Sequence, residues 1–159
     1  MKIKEYNRKL AVEYAHKWVH SRNPKYYDYS DIGGDCTNFI SQCIYAGSHV
    51  MNYAKDMGWY YINANNKAPA WSGVEFLYKF IINNKSAGPY GKELPIQNLE
   101  IGDIIQLSFD GIRFAHSLLI VQNRPEILIA THTYDADNKS IKEYSYKKIR
   151  GIHIEGIRM

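Results

Sequence analysis

The 159-residue sequence lacks the features that would place it outside ordinary globular proteins. It has only 11 glycines and 5 prolines, which excludes collagen-like and low-complexity chains. No apolar run approaches the ~18 residues of a membrane span, and the first ten residues lack the apolar stretch of a secretory signal. We therefore expect a soluble chain, with its compartment left open: extracellular or cell wall if it is a domain of an exported protein, cytoplasmic otherwise.

The two cysteines and the modest charge exclude two further classes. Cys36 and Cys43 have neither the paired spacing nor the histidine partners of a zinc site, so no metal is expected. The formal net charge is +4, and the basic residues are scattered instead of forming one stripe, which argues against a nucleic-acid partner. The length suits one domain over residues 1–159, and we expect a monomer.

Helical patterns occupy the first half of the chain. Apolar residues at helical spacing predict a first helix over residues 5–20, followed by a tyrosine-rich loop over 24–34. A second helix is expected to open at Cys36, with Asp35 as its N-cap and Gly47 as its end. The capping-box pattern from Ser72 to Glu75 predicts a third helix. Residues 48–70 read as an irregular binding loop or lid.

Strand patterns follow in the second half. The segments with strand character are residues 103–109, 116–122, 127–133, 143–146 and 151–158. Helices first and strands afterwards are typical of an α+β domain in which N-terminal helices pack on a C-terminal antiparallel sheet. The order excludes a dinucleotide-binding fold, which also needs a glycine-rich phosphate motif that this chain lacks.

Cys36 is the candidate nucleophile. A thiol reacts as its thiolate, and the first turn of a helix favours the anion through its free N–H groups. Gly33 and Gly34 directly precede it and would let a substrate carbonyl approach the sulfur. We therefore predict that Cys36 has a depressed pKa, whereas Cys43, on the apolar stripe of the same helix, is a buried core residue.

His116 and His132 are the candidate bases, because each lies at the end of a predicted strand. The turn between these strands is centred on residues 123–125. A register that pairs His116 with His132 would place them on one face of the sheet, about 5 Å apart. A slip of one residue would put them on opposite faces. The order of a cysteine on an early helix, a histidine on a later strand and a third polar group on the next strand is that of papain-like cysteine hydrolases.

The segment around Cys36 also resembles the nucleophile motif of the bacterial Putative amidase domain family. The residues that carry this resemblance are Gly33-Gly34-Asp35-Cys36-Thr37-Asn38-Phe39-Ile40-Ser41-Gln42. Weaker matches occur at residues 11–15, 71–72, 101–105, 116–117 and 132–133. That family is itself similar to the NlpC/P60 and CHAP cysteine peptidases, so the resemblance implies a papain-like, NlpC/P60-like fold.

The resemblance implies a role for each residue of a Cys-His-His triad. Cys36 would be the nucleophile, His116 the general base and acid, and His132 the orienting residue. Asp135 and Asn138 remain alternatives for the third position. The glutamine that helps the oxyanion hole in papain-like enzymes is replaced here by Ser30. We assign the oxyanion site and substrate groove to Asp35, Tyr29, Asn38 and Trp59.

The function implied is hydrolysis of an amide bond through an acyl-enzyme, without a cofactor. The expected partner is a peptide or peptidoglycan-like substrate. Two alternatives use the same scaffold: a catalytically idle module that binds cell wall or carbohydrate, and a cysteine acyltransferase. The presence of all of Cys36, His116 and His132 argues against the idle module, whereas sequence alone does not separate hydrolysis from acyl transfer.

Overall fold

The computed structural model describes residues 1–159 and has the predicted α+β class. In chain order the elements are β1 (Ile3–Lys4), α1 (Arg8–Trp18), α2 (Cys36–Ser48), β2 (Tyr61–Asn63), β3 (Asn66–Lys67), α3 (Pro69–Ser72), α4 (Val74–Asn83), β4 (Gly88–Leu94), β5 (Ile104–Ser108), β6 (His116–Gln122), β7 (Leu128–Thr131), β8 (Ala136–Ser140) and β9 (Lys148–Arg158), with short 3-10 helices at Ile96–Asn98 and Ile141–Glu143. None of the helices combines the length and apolar character needed to cross a membrane.

The main sheet has seven strands, and all of its pairings are antiparallel. Its order is β1-β9-β5-β6-β7-β8, with β4 also paired to β9. The 11-residue β9 is long enough to pair with β4 along one edge and with both β5 and β1 along the other. The long strand thus joins the N-terminus, the middle and the end of the chain.

The sheet separates two apolar clusters, because alternate residues of a strand point to opposite faces. On one face, α1, α2 and α4 pack over a cluster of 21 buried residues that includes Ile104 and Leu119. The other face holds a cluster of six buried residues, among them Ile105, Leu118 and Ile120. Any side chain on β5 or β6 therefore belongs to one of two separate environments.

The end of α2 differs from the prediction at Gly47. The helix continues through Gly47 to Ser48, and His49 takes the left-handed conformation, with φ of 55°, that closes it. A Cβ on Gly47 would lie 2.6 Å from both the Tyr6 ring and the Asn7 carbonyl oxygen. Glycine is therefore needed at position 47 because α2 passes so close to Tyr6 and Asn7 that a side chain would not fit, and not because it caps the helix.

The predicted third helix is divided into two, and its capping box is wrong. Gly73 breaks the helix and precedes α4, with no side-chain cap at its start. The Ser72 hydroxyl instead accepts a hydrogen bond from Lys67 Nζ at 2.9 Å. Glu75 pairs with Arg150 of β9 at 3.1 Å. Long-range partners have replaced the local cap that the pattern indicated.

Three segments were assigned incorrectly from the sequence. Residues 88–94, which are not among the predicted strand segments, form β4, in which a Cβ on Gly91 would lie 1.8 Å from the His153 carbonyl oxygen. The predicted strand at 143–146 is absent, and β8 lies earlier, at Ala136–Ser140. The 48–70 segment contains the short β2–β3 hairpin and the start of α3, so it is only partly irregular.

A bulge changes the register of the β6–β7 hairpin. Gln122 pairs with Leu128, but Ile120 pairs with Ile129, so β6 carries one extra residue between these pairs. Continued from the turn without the bulge, the register would keep His116 and His132 on one face, as predicted. With the bulge, Leu119 pairs with Ala130 and the two histidines fall on opposite faces. The predicted pairing of His116 with His132 is therefore wrong.

Candidate active site

Cys36 is the first residue of α2, as predicted, and follows a turn that only glycine adopts readily. Gly33 and Gly34 have φ values of 81° and 99°. A Cβ on Gly34 would lie 3.3 Å from Thr133 Oγ1, whereas one on Gly33 would meet nothing within 4 Å. The turn therefore leaves open space on the side of Gly33 and packs closely against the segment after β7 at Gly34.

The Cys36 thiol is buried, with 7% of its residue surface exposed. Burial raises its pKa, while the Ser117 N–H, the Thr37 hydroxyl and the Thr37 N–H act in the opposite direction. The net pKa is above the ordinary value, so the prediction of a depressed pKa is wrong for this state. Cys43 is fully buried, and burial raises its pKa well above the ordinary value. The prediction that Cys43 is a buried core residue is confirmed, and Cys36 is buried as well.

His116 lies at the start of β6 but faces away from α2. Its ring is 6.4 Å from the Phe109 ring and 6.2 Å from the Tyr144 ring. Burial, followed by the charge of Lys139, lowers the pKa of His116 to about 4, so the imidazole is neutral at pH 7. No hydrogen bond joins His116 to Cys36 or to any other side chain. A preformed thiolate–imidazolium pair is therefore absent from this state.

His132 lies on the face of α2 and pairs with Asp35. Its Nδ1–H donates to Asp35 Oδ2 at 2.6 Å, and both side chains are 2% exposed or less. The imidazole stacks on the Phe39 ring with centroids 3.9 Å apart. Its Nε2 lies 3.0 Å from the Trp18 carbonyl oxygen and 3.2 Å from Arg22 Nη1. Both nitrogens of His132 thus have partners other than His116.

Asp35 connects the loop before α2 to the helix. Its Oδ1 accepts hydrogen bonds from the Tyr29 N–H and from Asn38 Nδ2, both at 2.8 Å. Asn38 Oδ1 in turn accepts a bond from Trp71 Nε1 at 2.9 Å. Asp35 and Asn38 are each 1% exposed. Their assignment to an open groove is wrong, because these contacts direct both side chains into the protein.

Trp59 and Tyr29, the other two residues assigned to the groove, lie in different environments. Trp59 is fully buried in the core, where its Nε1 donates to Ser41 Oγ at 3.0 Å and its ring packs on Trp71. The prediction that Trp59 lines the groove is therefore wrong. Tyr29 lies in the loop before Cys36 with its hydroxyl donating to the Ala64 carbonyl at 3.0 Å, so this hydroxyl is engaged away from the sulfur.

The alternatives for the third position lie outside the pair formed by Asp35 and His132. Asp135 makes two hydrogen bonds with the guanidinium of Arg22, at 3.0 and 3.2 Å. Asn138 lies on β8 with a positive φ of 53°. Ser30 accepts from Arg22 and donates to Asp28. None of these contacts joins His116.

A row of polar side chains, which the sequence analysis missed, crosses the sheet beneath Cys36. Gln106 pairs with Ser117 on one neighbouring strand and with Arg150 on the other, so the three side chains share a face. Ser117 Oγ lies 2.9 Å from Thr37 Oγ1, next to Cys36. A glutamine within the apolar run of residues 104–107 was the signal in the sequence that could have indicated this row.

A cleft of about 470 Å³ opens beside Gly33. Its other walls are the start of α4 at residues 72–76 and the loop at 109–115 that leads into His116. Phe76 and Phe109 are about half exposed there. Gly33 belongs to the tyrosine-rich loop over 24–34, whereas no residue of the 48–70 segment, expected as a binding loop or lid, lines this cleft. No group of three or more His, Cys, Asp or Glu side chains is arranged to hold a metal ion.

Comparisons with known proteins agree with the motif around Cys36. Residues 5–155 match the family described as Putative amidase domain. The chain is 32% identical over 139 residues to the uncharacterized protein YhbB of Bacillus subtilis (strain 168), an alignment that covers 83% of this chain and 43% of YhbB. The chain therefore spans less than half of the length of this relative. No solved structure matches. The relationship to NlpC/P60 and CHAP peptidases, and the papain-like fold, stay predictions.

Proposed function

Because the chain belongs to the Putative amidase domain family, we propose that it is a hydrolase that cleaves an amide bond with Cys36 as the nucleophile. The observation that carries this proposal is the position of the thiol. Cys36 opens α2, lies 3.8 Å from the Thr37 hydroxyl, and follows the turn whose Gly33 lines the cleft. A thiol at the first turn of a helix, close to a space for substrate, suits nucleophilic attack on a carbonyl carbon.

His116 is the base in this proposal. It directly precedes Ser117, whose hydroxyl lies 2.9 Å from Thr37 Oγ1, and its imidazole is neutral at pH 7 because burial lowers its pKa to about 4. So low a pKa makes the buried ring a weak base, and its basicity rises only when the ring leaves the buried position. In the resting state its ring lies on the other face of the sheet. Substrate in the cleft would contact the 109–115 loop, and a turn of the chain at Ala115 and His116 would bring the ring to the thiol. The proposal requires this movement, which would assemble the site on binding.

The reaction has two steps that conserve protons. First, the imidazole takes the proton from Cys36, the sulfur bonds to the carbonyl carbon, and the C–N bond breaks as the imidazolium protonates the leaving amine. Second, the imidazole deprotonates a water molecule, whose oxygen bonds to the acyl carbon. The C–S bond then breaks and the thiol recovers its proton. The products are an amine and a carboxylic acid.

His132 supports the nucleophile through Asp35 in this proposal, and not by contact with His116. Asp35 immediately precedes Cys36 and is held by His132, by the Tyr29 N–H and by Asn38. These bonds fix the backbone from which the sulfur projects. We therefore propose that His132 positions the start of α2, instead of orienting His116 as the resemblance implied.

The cleft suits a peptide-like substrate. It combines the aromatic side chains of Phe76, Phe109 and Phe114 with the charged groups of Asp110 and Arg113. Aromatic walls with a few polar groups favour a substrate that has an apolar side chain near the scissile bond and charged groups beyond it. A cell-wall peptide fits this description, and so does an ordinary peptide.

The test is incubation of the protein with purified peptidoglycan and with a panel of N-acylated peptides, with new amines and acids read by mass spectrometry. We expect turnover by the wild-type protein and by Cys43→Ala, and none by Cys36→Ala. Equal turnover by Cys36→Ala would contradict the proposal. Adding a primary amine distinguishes acyl transfer, because the acyl group would then appear on that amine. Binding without turnover in wild type would identify the idle binding module.

A further inference from the structure

We propose that Gln106 is a positioning residue that directs a chain of hydrogen bonds so that the Thr37 hydroxyl donates to Cys36. The inference rests on Cys36 being the nucleophile of the proposed function, and it adds residues from β5, β6 and β9 to that site. It follows from the order in which donors and acceptors are joined across one face of the sheet.

Arg150, at the start of this chain of hydrogen bonds, can only donate. Arg150 places Nε and Nη2 at 2.9 and 2.6 Å from Gln106 Oε1. A guanidinium has no acceptor, so the oxygen of the Gln106 amide must face Arg150. The amide nitrogen then faces the other way, where it donates to Ser117 Oγ at 3.2 Å and to the Val74 carbonyl at 2.9 Å.

The remaining links follow from the number of protons available. The Ser117 hydroxyl accepts from Gln106, and the acceptor within reach of its own proton is Thr37 Oγ1 at 2.9 Å. Once Ser117 donates to Thr37, the Thr37 proton is directed to Cys36 Sγ, 3.8 Å away. In the opposite arrangement Cys36 would donate to Thr37, and Thr37 would donate to Ser117. The Ser117 proton would then have no acceptor, although Ser117 is fully buried. The arrangement in which every proton has an acceptor is therefore the one in which each residue donates to the next, from Arg150 to the Cys36 sulfur.

Arg150 is itself held in place. Its guanidinium lies between the rings of Tyr78 and Phe114, at 3.6 and 3.9 Å from their centroids, and pairs with Glu75 at 3.1 Å. Hydrogen bonds in a chain polarise one another, and a cation at one end stabilises an anion at the other. The chain thus favours the thiolate of Cys36 against the burial that opposes it. The other titratable groups near the sulfur are Asp35, which disfavours the thiolate, and His116, which is neutral.

The test measures the pH dependence of Cys36 alkylation by iodoacetamide, with the modified residue identified by mass spectrometry. It needs no amide substrate, so its failure is distinct from failure of the proposed function. We expect Thr37→Val to lower the alkylation rate at neutral pH by about tenfold, through a higher thiol pKa. Ser41→Ala is the matched control, because Ser41 is a buried hydroxyl on the same helix that serves Trp59 instead.

Gln106→Glu tests the direction of the chain. A carboxylate accepts only, so Ser117 would donate to it, Thr37 would donate to Ser117, and the sulfur would lose its donor. The rate should fall as in Thr37→Val. When Gln106→Glu is added to Thr37→Val, the alkylation rate should change little, because the Thr37 hydroxyl is already absent. If Gln106→Glu acted only through its charge or by distorting the structure, it would lower the rate of the double variant as much as that of the wild type. A wild-type profile for Gln106→Glu, or full additivity of the two substitutions, would overturn the proposal. If Gln106→Glu does not fold, Gln106→Met is the second variant: it has no N–H to direct the Ser117 proton to Thr37, so the alkylation rate should fall, and a wild-type rate would overturn the proposal.

Discussion

Replacing His132 with alanine is expected to destabilise the fold, because it removes one partner of a buried pair. The Asp35 carboxylate, which is only 1% exposed, would lose the 2.6 Å hydrogen bond that it accepts from His132 Nδ1. Two neutral donors remain on Oδ1, and Arg22 Nε is 3.8 Å from Oδ2. Removing one partner of a buried pair costs about 3–5 kcal/mol, because the other charge stays buried. The stacking of His132 on Phe39 is lost as well.

The assay is urea unfolding of His132→Ala at pH 7, followed by circular dichroism. A loss of about 3–5 kcal/mol corresponds to a fall of about 10 °C in Tm for a chain of this size. His20→Ala is the matched control, since His20 is exposed at the end of the first helical segment. Adding Asp35→Asn to His132→Ala should recover part of the stability, because an amide leaves no buried charge. A loss below about 1 kcal/mol, or no recovery in the double variant, would refute this account of the pair.

Three further predictions follow from groups around the site. The free energy of unfolding should fall by about 3 kcal/mol as the pH drops from about 6.5 to about 4, because His116 takes up a proton at higher pH in the unfolded chain than in the folded one. Urea unfolding at both pH values should show this loss, and His116→Gln should reduce it. Gly91→Ala should prevent stable pairing of β4 with β9, whereas Gly33→Ala, which meets no atom within 4 Å, should cost only about 1–2 kcal/mol from its positive φ; equal unfolding midpoints for the two variants would contradict this. Iodoacetamide should modify Cys36 faster than Cys43 in the folded protein, since only Cys36 has any exposed surface; equal rates, measured by peptide mapping, would count against the burial described for the two thiols.

Much of the element order could be predicted because it depends on short-range patterns. Helical spacing over residues 5–20 and from Cys36 onwards identified α1 and α2, and strand alternation after residue 103 identified β5, β6, β7 and β9, all within a few residues. The position of Cys36 at the start of a helix also followed from its neighbours, since Gly33, Gly34 and Asp35 give a local signal. Cys43 was placed in the core by the same periodicity.

Features that depend on distant partners could not be predicted in the same way. β4 reads as a loop because Pro89 and Gly91 are unusual in strands, yet its pairing with β9 stabilises it. Ser72 and Glu75 match a capping box, but Lys67 and Arg150 engage them instead. A local propensity worth about 1 kcal/mol yields to such tertiary contacts.

The arrangement of the candidate site was decided by the tertiary structure. The sequence by itself determined the candidate residues and their local positions, Cys36 at a helix start and His116 and His132 at strand ends. One extra residue at the β6 bulge decided that the histidines lie on opposite faces, because side chains alternate with a period of two. The packing of α2 on the sheet then decided that His132 meets Asp35, 97 residues earlier, and that Thr37 meets Ser117. Contacts over such separations depend on the packed core, and no local pattern specifies them.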